Sequence, residues 1–537
     1  MFIGIERLTC LQTLPHFVVS RDANCRVGQL GELKFLRGKL ELYGLSDIEN
    51  MEEASKASLC TKSNVERLKL VWNNNENEVD NDKDVMEGLI PHTNLKELKI
   101  LYFKGKKMAS WITKMTNLVK ITINDCNRCQ EIPPLGHLPK LREMEIKGMD
   151  NAKIIRCDIC RGLRSSTSDL NDSLAANTIT TIYPSLTNLT LWNLPKLEEW
   201  QEPLVSTDQS TVLVFPKLEV LEIVSCSKLR RIPSSSFPSL KKLIIRHNSL
   251  ILGMISRKVS SLTDLHLKNI SVRGCGFSSF FSNMDSAIDK LLKNNSMSLT
   301  ILNLNDCRGL TRLTLGVAIQ GLRVVNCRDL TSINVVEDSV NLKYLMIASC
   351  PSLSEWSFVQ SMRSTLVRLS LGHLSEDSNE FPWPFSSSSS SSISFPNLTR
   401  LALIGWEKVE SIMPAGEVED RFSSAFPCLT HLNIRDFEGL KALPDSIAKL
   451  PSLEGLHIWN CKTLRSLPTF EKSHSLRFLE MNGCPILKQR YMKGSGPEWF
   501  KIKHISDIIW VLPTFLPVEY QCTIMKISFD KQTVEYI

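Results

Sequence analysis

The chain has 537 residues, 42% of them hydrophobic and 23% charged, which suits a folded protein long enough for several domains or one long repeat array. A formal net charge of +7 without any basic tract excludes a dedicated nucleic-acid binder. The amino terminus lacks a basic segment leading into an apolar one, and the apolar stretch Ile508 to Val518 is short and carries two prolines, so neither a secretory leader nor membrane insertion is predicted.

Along the chain one stencil recurs: L-x-x-L-x-L-x-x-C-x-x-L-x-x-L-P. It is most complete from Leu218 to Pro233 and from Leu453 to Pro468. Its first apolar residue falls in turn at Val65, Leu95, Leu118, Leu141, Leu186, Leu218, Leu240, Leu262, Leu299, Ile319, Leu342, Leu366, Leu398, Leu429, Leu453 and Leu476, and most steps are 20 to 24 residues. A period of that length with leucines at these offsets predicts leucine-rich repeats, one strand per turn. Within each strand the stencil leucines point inward and the residues between them point out, because strand side chains alternate. The fold class expected is therefore an α/β repeat, a leucine-rich repeat solenoid (horseshoe) with a concave parallel β-sheet and irregular convex loops.

Cys126, Cys226, Cys307, Cys327, Cys350, Cys461 and Cys484 occupy one slot of the stencil, where Met149, Leu194, Trp406 and Phe437 stand in other repeats. A slot that takes such different apolar residues is a packing position. Its cysteines act as small core groups, and unpaired thiols in that number predict a reducing, cytoplasmic compartment.

The array is expected to occupy residues 1–509, with loop insertions near 73–84, 164–178, 273–286 and 386–394, the last a serine run. Laying Ile5, Leu8, Leu11 and Leu14 on Ile447, Leu450, Leu453 and Leu456 starts the chain inside a repeat, so an array truncated at its N-terminal end is expected. Residues 510–537 lose the stencil and form an unplaced tail.

Chemical motifs are few. Cys126, Cys129, Cys157 and Cys160 have zinc-like spacing, but the slot already accounts for Cys126. Asp80, Asp82 and Asp84 begin like a calcium loop, yet Val85 and Pro91 stand where a glycine and a glutamate are needed. No P-loop, H-E-x-x-H or G-x-S-x-G occurs. His431, His457 and Glu480 can meet on the concave face without a nucleophile beside them. The chain is read as a non-enzyme, holding neither metal nor cofactor.

The alternation rule exposes two sets of residues on the concave face. Arg400, His431, Asn433, Arg435, His457, Trp459, Phe478 and Glu480 form the predicted partner-binding patch, since tryptophan and arginine dominate binding hot spots. Glu97, Lys99, Lys120, Glu143, Glu145 and Lys147 form a mixed-charge face suited to intramolecular docking.

Several segments resemble the repeat region of plant intracellular NB-LRR disease-resistance proteins of the coiled-coil type. The most specific is "CNRCQEIPPLGHLPKLREMEIKGM" (Cys126 to Met149), joined by Val27 to Leu59, Asn94 to Ile112, Tyr183 to Trp200 and Trp499 to Ile508. The resemblance implies a repeat domain that senses a pathogen effector or a guarded host protein and that restrains a nucleotide-binding module. ADP or ATP would bind that module, which this chain lacks. Two other functions fit a repeat array. A receptor ectodomain would favour Asn at the slot, and an F-box-like substrate adaptor would need a helical segment ahead of the repeats.

Overall fold

In a computed structural model the described residues are 5–22, 25–74, 81–156, 180–201, 212–233, 237–271, 284–335, 341–354, 356–374, 381, 394–406, 408–412, 420–471 and 475–511. They fall into two compact units, residues 1–341 and 342–537.

In the first unit the described residues carry twelve parallel sheet strands. These are β1 (His16–Val18), β2 (Arg37–Tyr43), β3 (Asn64–Val71), β4 (Glu97–Leu101), β5 (Lys120–Asn124), β6 (Glu143–Lys147), β7 (Asn188–Trp192), β8 (Val220–Val224), β9 (Lys242–Arg246), β10 (Asp264–Ser271), β11 (Ile301–Arg308) and β12 (Gly321–Val325). The second unit carries seven: β13 (Tyr344–Ala348), β14 (Arg368–Gly372), β15 (Arg400–Ile404), β16 (His431–Arg435), β17 (Gly455–Trp459), β18 (Phe478–Asn482) and β19 (Asp507–Val511). Each pairs in register with the strand one repeat away, so Leu98, Ile121 and Met144 share a column, as do Leu432, Leu456 and Leu479. All six are buried. The fold is the leucine-rich repeat solenoid that the period predicts.

The slot has a physical reason beyond size. In most repeats the residue before it is left-handed, with φ of 55° at Asp125, 53° at Ser225, 55° at Asn326 and 54° at Asn460. Asn, Asp, Ser and Gly tolerate that region best among the residues found there. The left-handed residue keeps its N–H on the ladder: Asn460 donates to the Asn482 carbonyl at 2.8 Å and Ser225 to the Arg246 carbonyl at 2.9 Å. The chain then turns inward, where a thiol finds two backbone acceptors. Cys226 Sγ donates toward Val224 O (3.4 Å) and Leu191 O (3.7 Å), and Cys484 Sγ toward Asn482 O (3.3 Å) and Ile458 O (3.6 Å). At Gly483 a Cβ would come within 2.4 Å of Asn460 Oδ1, so this turn admits only glycine without a shift. One repeat uses Asn248 at the slot, donating to Cys226 O at 2.6 Å and accepting from Leu250 N at 3.0 Å.

The alternation left a second ladder unread. Tyr183, Phe215 and Phe237, each followed by proline, stack with ring centroids 4.9 and 6.1 Å apart, and Phe395 and Phe426 do so at 5.6 Å in the second unit.

Four expectations change. The insertion near 73–84 ends in a helix, Asp82–Gly88, whose Asp82 is buried and accepts Lys104 N–H at 3.3 Å rather than standing in solvent. The insertion near 273–286 likewise runs into a helix, Met284–Asn294, whose one apolar face is buried. At the amino end Phe17 pairs with Leu42, one residue later than the alignment of Leu14 with Leu456 implies, and Leu8 is exposed. At the other end β19 carries Trp510 into register with Met481, so the sheet runs to Val511 instead of stopping at residue 509. The insertion at 164–178, most of that at 386–394, and the tail beyond 511 lie outside the described residues. No helix among the described residues is long and apolar enough to cross a membrane.

Candidate functional site

All eight residues of the carboxy-terminal patch stand on the outer face of β15 to β18. Register places Arg400, His431, Gly455 and Phe478 in one row, Asn433, His457 and Glu480 in the next, and Arg435 and Trp459 in a third. The two histidine rings stack at 6.0 Å with 19° between planes, and Phe478 tilts against His457 at 5.2 Å. The stack depends on Gly455, because a Cβ there would lie 2.8 Å from His431 Cδ2. Glu480 Oε2 takes a hydrogen bond from His457 Nδ1 at 2.8 Å.

Burial, then the charge of Arg400 and the neighbouring His457, push the His431 imidazole below its ordinary value, so the ring is neutral near pH 7. Its Nδ1 lies 3.0 Å from Thr430 Oγ1. That hydroxyl already donates its one hydrogen to the Thr399 carbonyl at 2.9 Å, so it accepts from the ring. His431 Nδ1 is therefore no base toward that hydroxyl. Asn433 Oδ1, Arg435 Nε and Trp459 Nε1 are buried with no hydrogen-bond partner among the described residues, although Arg435 Nε lies 4.0 Å from Asp436 Oδ2. Leaving such an atom unpaired costs about 1–3 kcal/mol. The face continues over Arg368, which lies 5.4 Å from the Tyr344 ring centroid. Sequence reasoning omitted these two, although the same offset from Leu342 and Leu366 exposes them.

The amino-terminal set is also on the outer face, and four of its six charges pair with one another. Lys120 Nζ meets Glu143 at 2.7 Å, Lys147 pairs with Glu145, and Thr122 Oγ1 donates to Glu145 at 3.4 Å. Glu143, then Glu97 and Glu145 by charge, raise the Lys120 ammonium despite partial burial. Glu145 is held below the usual carboxylate range: burial opposes this, but Lys147, Lys120 and Lys99 outweigh it. Lys147 also lies over the Trp192 ring at 5.3 Å. A tighter cluster that the sequence did not reveal sits on β2, where Glu41 receives Lys39 at 2.5 Å, His16 at 3.1 Å, Lys69 at 3.5 Å and the Tyr43 hydroxyl. Burial would raise the Glu41 carboxyl, yet Lys39, Tyr43 and Lys69 bring it to about 2.

The cysteine spacing that imitates zinc is explained by packing where it can be seen. Cys129 Sγ donates to Gly105 O at 3.1 Å, and burial pushes the Cys126 thiol up to about 12 and Cys129 higher still. Cys157 and Cys160 lie outside the described residues, and among the described residues no group of three or more His, Cys, Asp or Glu could hold a metal ion.

Two family models match: residues 27–149 fit R13L1/DRL21 LRRs, and residues 94–249 fit the leucine-rich repeats of plant disease resistance proteins of the RPS2-like kind. The chain is 29% identical over 325 residues to the putative disease resistance RPP13-like protein 1 of Arabidopsis thaliana, covering 58% of this chain and 29% of that one. To disease resistance protein RGA2 of Solanum bulbocastanum it is 29% identical over 272 residues, 49% of this chain and 26% of the relative. The chain thus spans under a third of the length of these relatives. Among solved structures, a leucine-rich repeat protein of Leptospira interrogans matches 93% of both chains at 18% identity and a TM-score of 0.37.

Proposed function

We propose that this chain, whose repeats are similar to the leucine-rich repeat region of plant NB-LRR disease-resistance proteins, is the partner-sensing part of a cytoplasmic plant defence receptor. Its ligand is a pathogen effector or a guarded host protein, docked on the outer face of β15 to β18. The observation that supports this reading is the run of Asn433 Oδ1, Arg435 Nε and Trp459 Nε1, one acceptor and two donors buried without a hydrogen-bond partner among the described residues, with Asp436 Oδ2 4.0 Å from Arg435 Nε. An extended polypeptide offers matching carbonyl and N–H groups. Such a segment would recover the desolvation these atoms already carry, while Trp459 and Phe478 supply the apolar contact.

Restraint of a nucleotide-binding module falls to the face that bears Glu97, Lys99, Lys120, Glu143, Glu145 and Lys147. Because Lys120, Glu143, Glu145 and Lys147 are paired already, docking there exchanges partners and sets register more than affinity. ADP and ATP belong to that module and not to these repeats.

The test is co-precipitation of candidate effectors and host proteins with the full chain, comparing wild type with Trp459→Ala and Arg435→Glu. Loss of capture at unchanged protein level is expected. Full capture by both variants would remove this patch from the reading.

A further inference from the structure

A different stretch of the outer face, on β9 to β12 of the first unit, carries three cations, Lys242, Arg246 and Lys268, that pair with no carboxylate among the described residues. Register sets Lys242 beside Asp264, Ile244 beside His266 and Arg246 beside Lys268. It then sets His266 beside Asn303, and Asn303 beside Arg323. The inward neighbours Leu243, Ile245, Leu265, Leu267, Leu302, Leu304, Leu322 and Val324 are all buried, so these polar side chains share one face.

Elsewhere on the first unit's outer face, Lys39, Lys69, Lys120 and Lys147 sit on carboxylates. Here, among the described residues, no carboxylate lies within ion-pair distance of Lys242, Arg246 or Lys268. Asp264 is engaged by the Thr263 hydroxyl at 2.7 Å, and Arg323 reaches Asn303 Oδ1 at 3.2 Å. His266, half-buried in the middle, makes no hydrogen bond among the described residues. Its imidazole is lowered to about 4, first by burial and then by Lys242, with Arg246 and Arg323 adding to the effect and Asp264 opposing it. The ring thus reports a positive potential that the one adjacent carboxylate does not cancel, and it stands neutral at pH 7 as a free hydrogen-bonding group.

We propose that this face is a docking site for an acidic, extended segment of a partner protein, seated across Lys242, Arg246, His266, Lys268 and Arg323. The dimensions fit such a segment: Lys242 to Arg246 spans roughly 13 Å along the strand, and β9 to β12 roughly 14 Å across. Charge placement favours a peptide over nucleic acid. Asp264 and, on β8, Glu222 stand among or beside the cations, and a phosphate backbone with a charge at every step would run onto them. A peptide can set neutral residues opposite those two positions. The site is separate from the β15–β18 patch, so either can fail without the other.

The test uses the full chain and two probes read by fluorescence anisotropy: a labelled ten-residue peptide alternating Glu and Ser, and a labelled oligothymidine of equal length. Saturable peptide binding that weakens with added salt is expected, with at least a tenfold loss in Lys242→Glu/Arg246→Glu and less than a twofold change in Lys114→Glu, an exposed lysine outside every face described above. Thermal unfolding checks that the double variant is folded, and Lys242→Ser/Arg246→Ser provides the same reading should it not be. Equal peptide affinity in wild type and the folded double variant overturns the proposal. So does the absence of saturable binding, or oligothymidine binding more tightly than the peptide and being lost in the same variant.

Discussion

The outer face of β2 to β7 and that of β15 to β18 are each built over inward columns of leucine, yet they treat their polar groups in opposite ways. Near the amino end, Glu41, Glu143 and Glu145 each hold at least one cation, and the tryptophan on that face, Trp192, is 40% exposed with Lys147 over it. Near the carboxy end, Trp459 is half-buried and its indole N–H has no acceptor among the described residues. A sheet of this kind therefore separates two tasks. Inward residues keep the array folded, and outward residues are free to be either satisfied within the chain or left for a partner.

That contrast can be broken most directly through the inward column of each region. Ile121→Ala and Leu456→Ala each remove a fully buried side chain, and each is expected to cost about 2–5 kcal/mol in denaturant unfolding. If one site tolerated the change, the two regions would not rest on the same packing. Next in size, Trp459→Ala is expected to weaken partner capture about 30-fold or more, the mark of a hot spot, while Trp192→Ala leaves capture unchanged. Equal losses at both tryptophans would erase the difference between the faces.

A pH titration sharpens the amino-terminal half. The folded Glu41 carboxyl, at about 2, lies below its unfolded value near 4.3. Its contribution to stability is therefore complete above the unfolded value and is lost as pH falls from there through 2. Glu41→Gln should flatten that part of the stability profile while changing nothing between pH 6 and 8 in its slope. The smallest effect belongs to Lys120→Met. Its pair with Glu143 is half-exposed on both sides, and such pairs contribute about 0.5 kcal/mol or less, so its unfolding midpoint should stay near wild type.

The sixteen stencil positions correspond to sixteen of the nineteen sheet strands, because a repeated inward leucine is a strong signal. The other three strands escaped for separate reasons. In β2 the inward leucines Leu36 and Leu40 stand four residues apart instead of three, so the offsets fail by one, and the pairing slips at Gly38 (φ 76°) and Lys39, which face Val65 and Arg67 and leave Glu66 of β3 unmatched. In β19 the column is Ile505, Ile508 and Trp510, which keeps the spacing without a leucine. In β1 only Phe17 of the three residues is buried. Alternation also identified which residues face outward, including the meeting of His431, His457 and Glu480. It carried no information on pairing, since whether Lys120 finds Glu143 depends on neighbours 23 residues away in a different repeat. The turn before the slot was legible in principle: the dipeptides Asp125-Cys126, Ser225-Cys226, Asn326-Cys327 and Asn460-Cys461 each place a left-handed-tolerant residue there.

The buried slot thiols give the molecule a built-in record of its own opening. With Cys126 and Cys226 at about 12, only about one thiol in 100,000 is thiolate at pH 7, and both side chains are fully covered. Cys10, Cys60 and Cys428 are exposed by contrast. A pulse of alkylating reagent therefore marks the exposed three at once and each slot cysteine only when its own repeat parts from its neighbours. Mass spectrometry of the peptides, taken at successive times, would map turn by turn where the spring first uncoils.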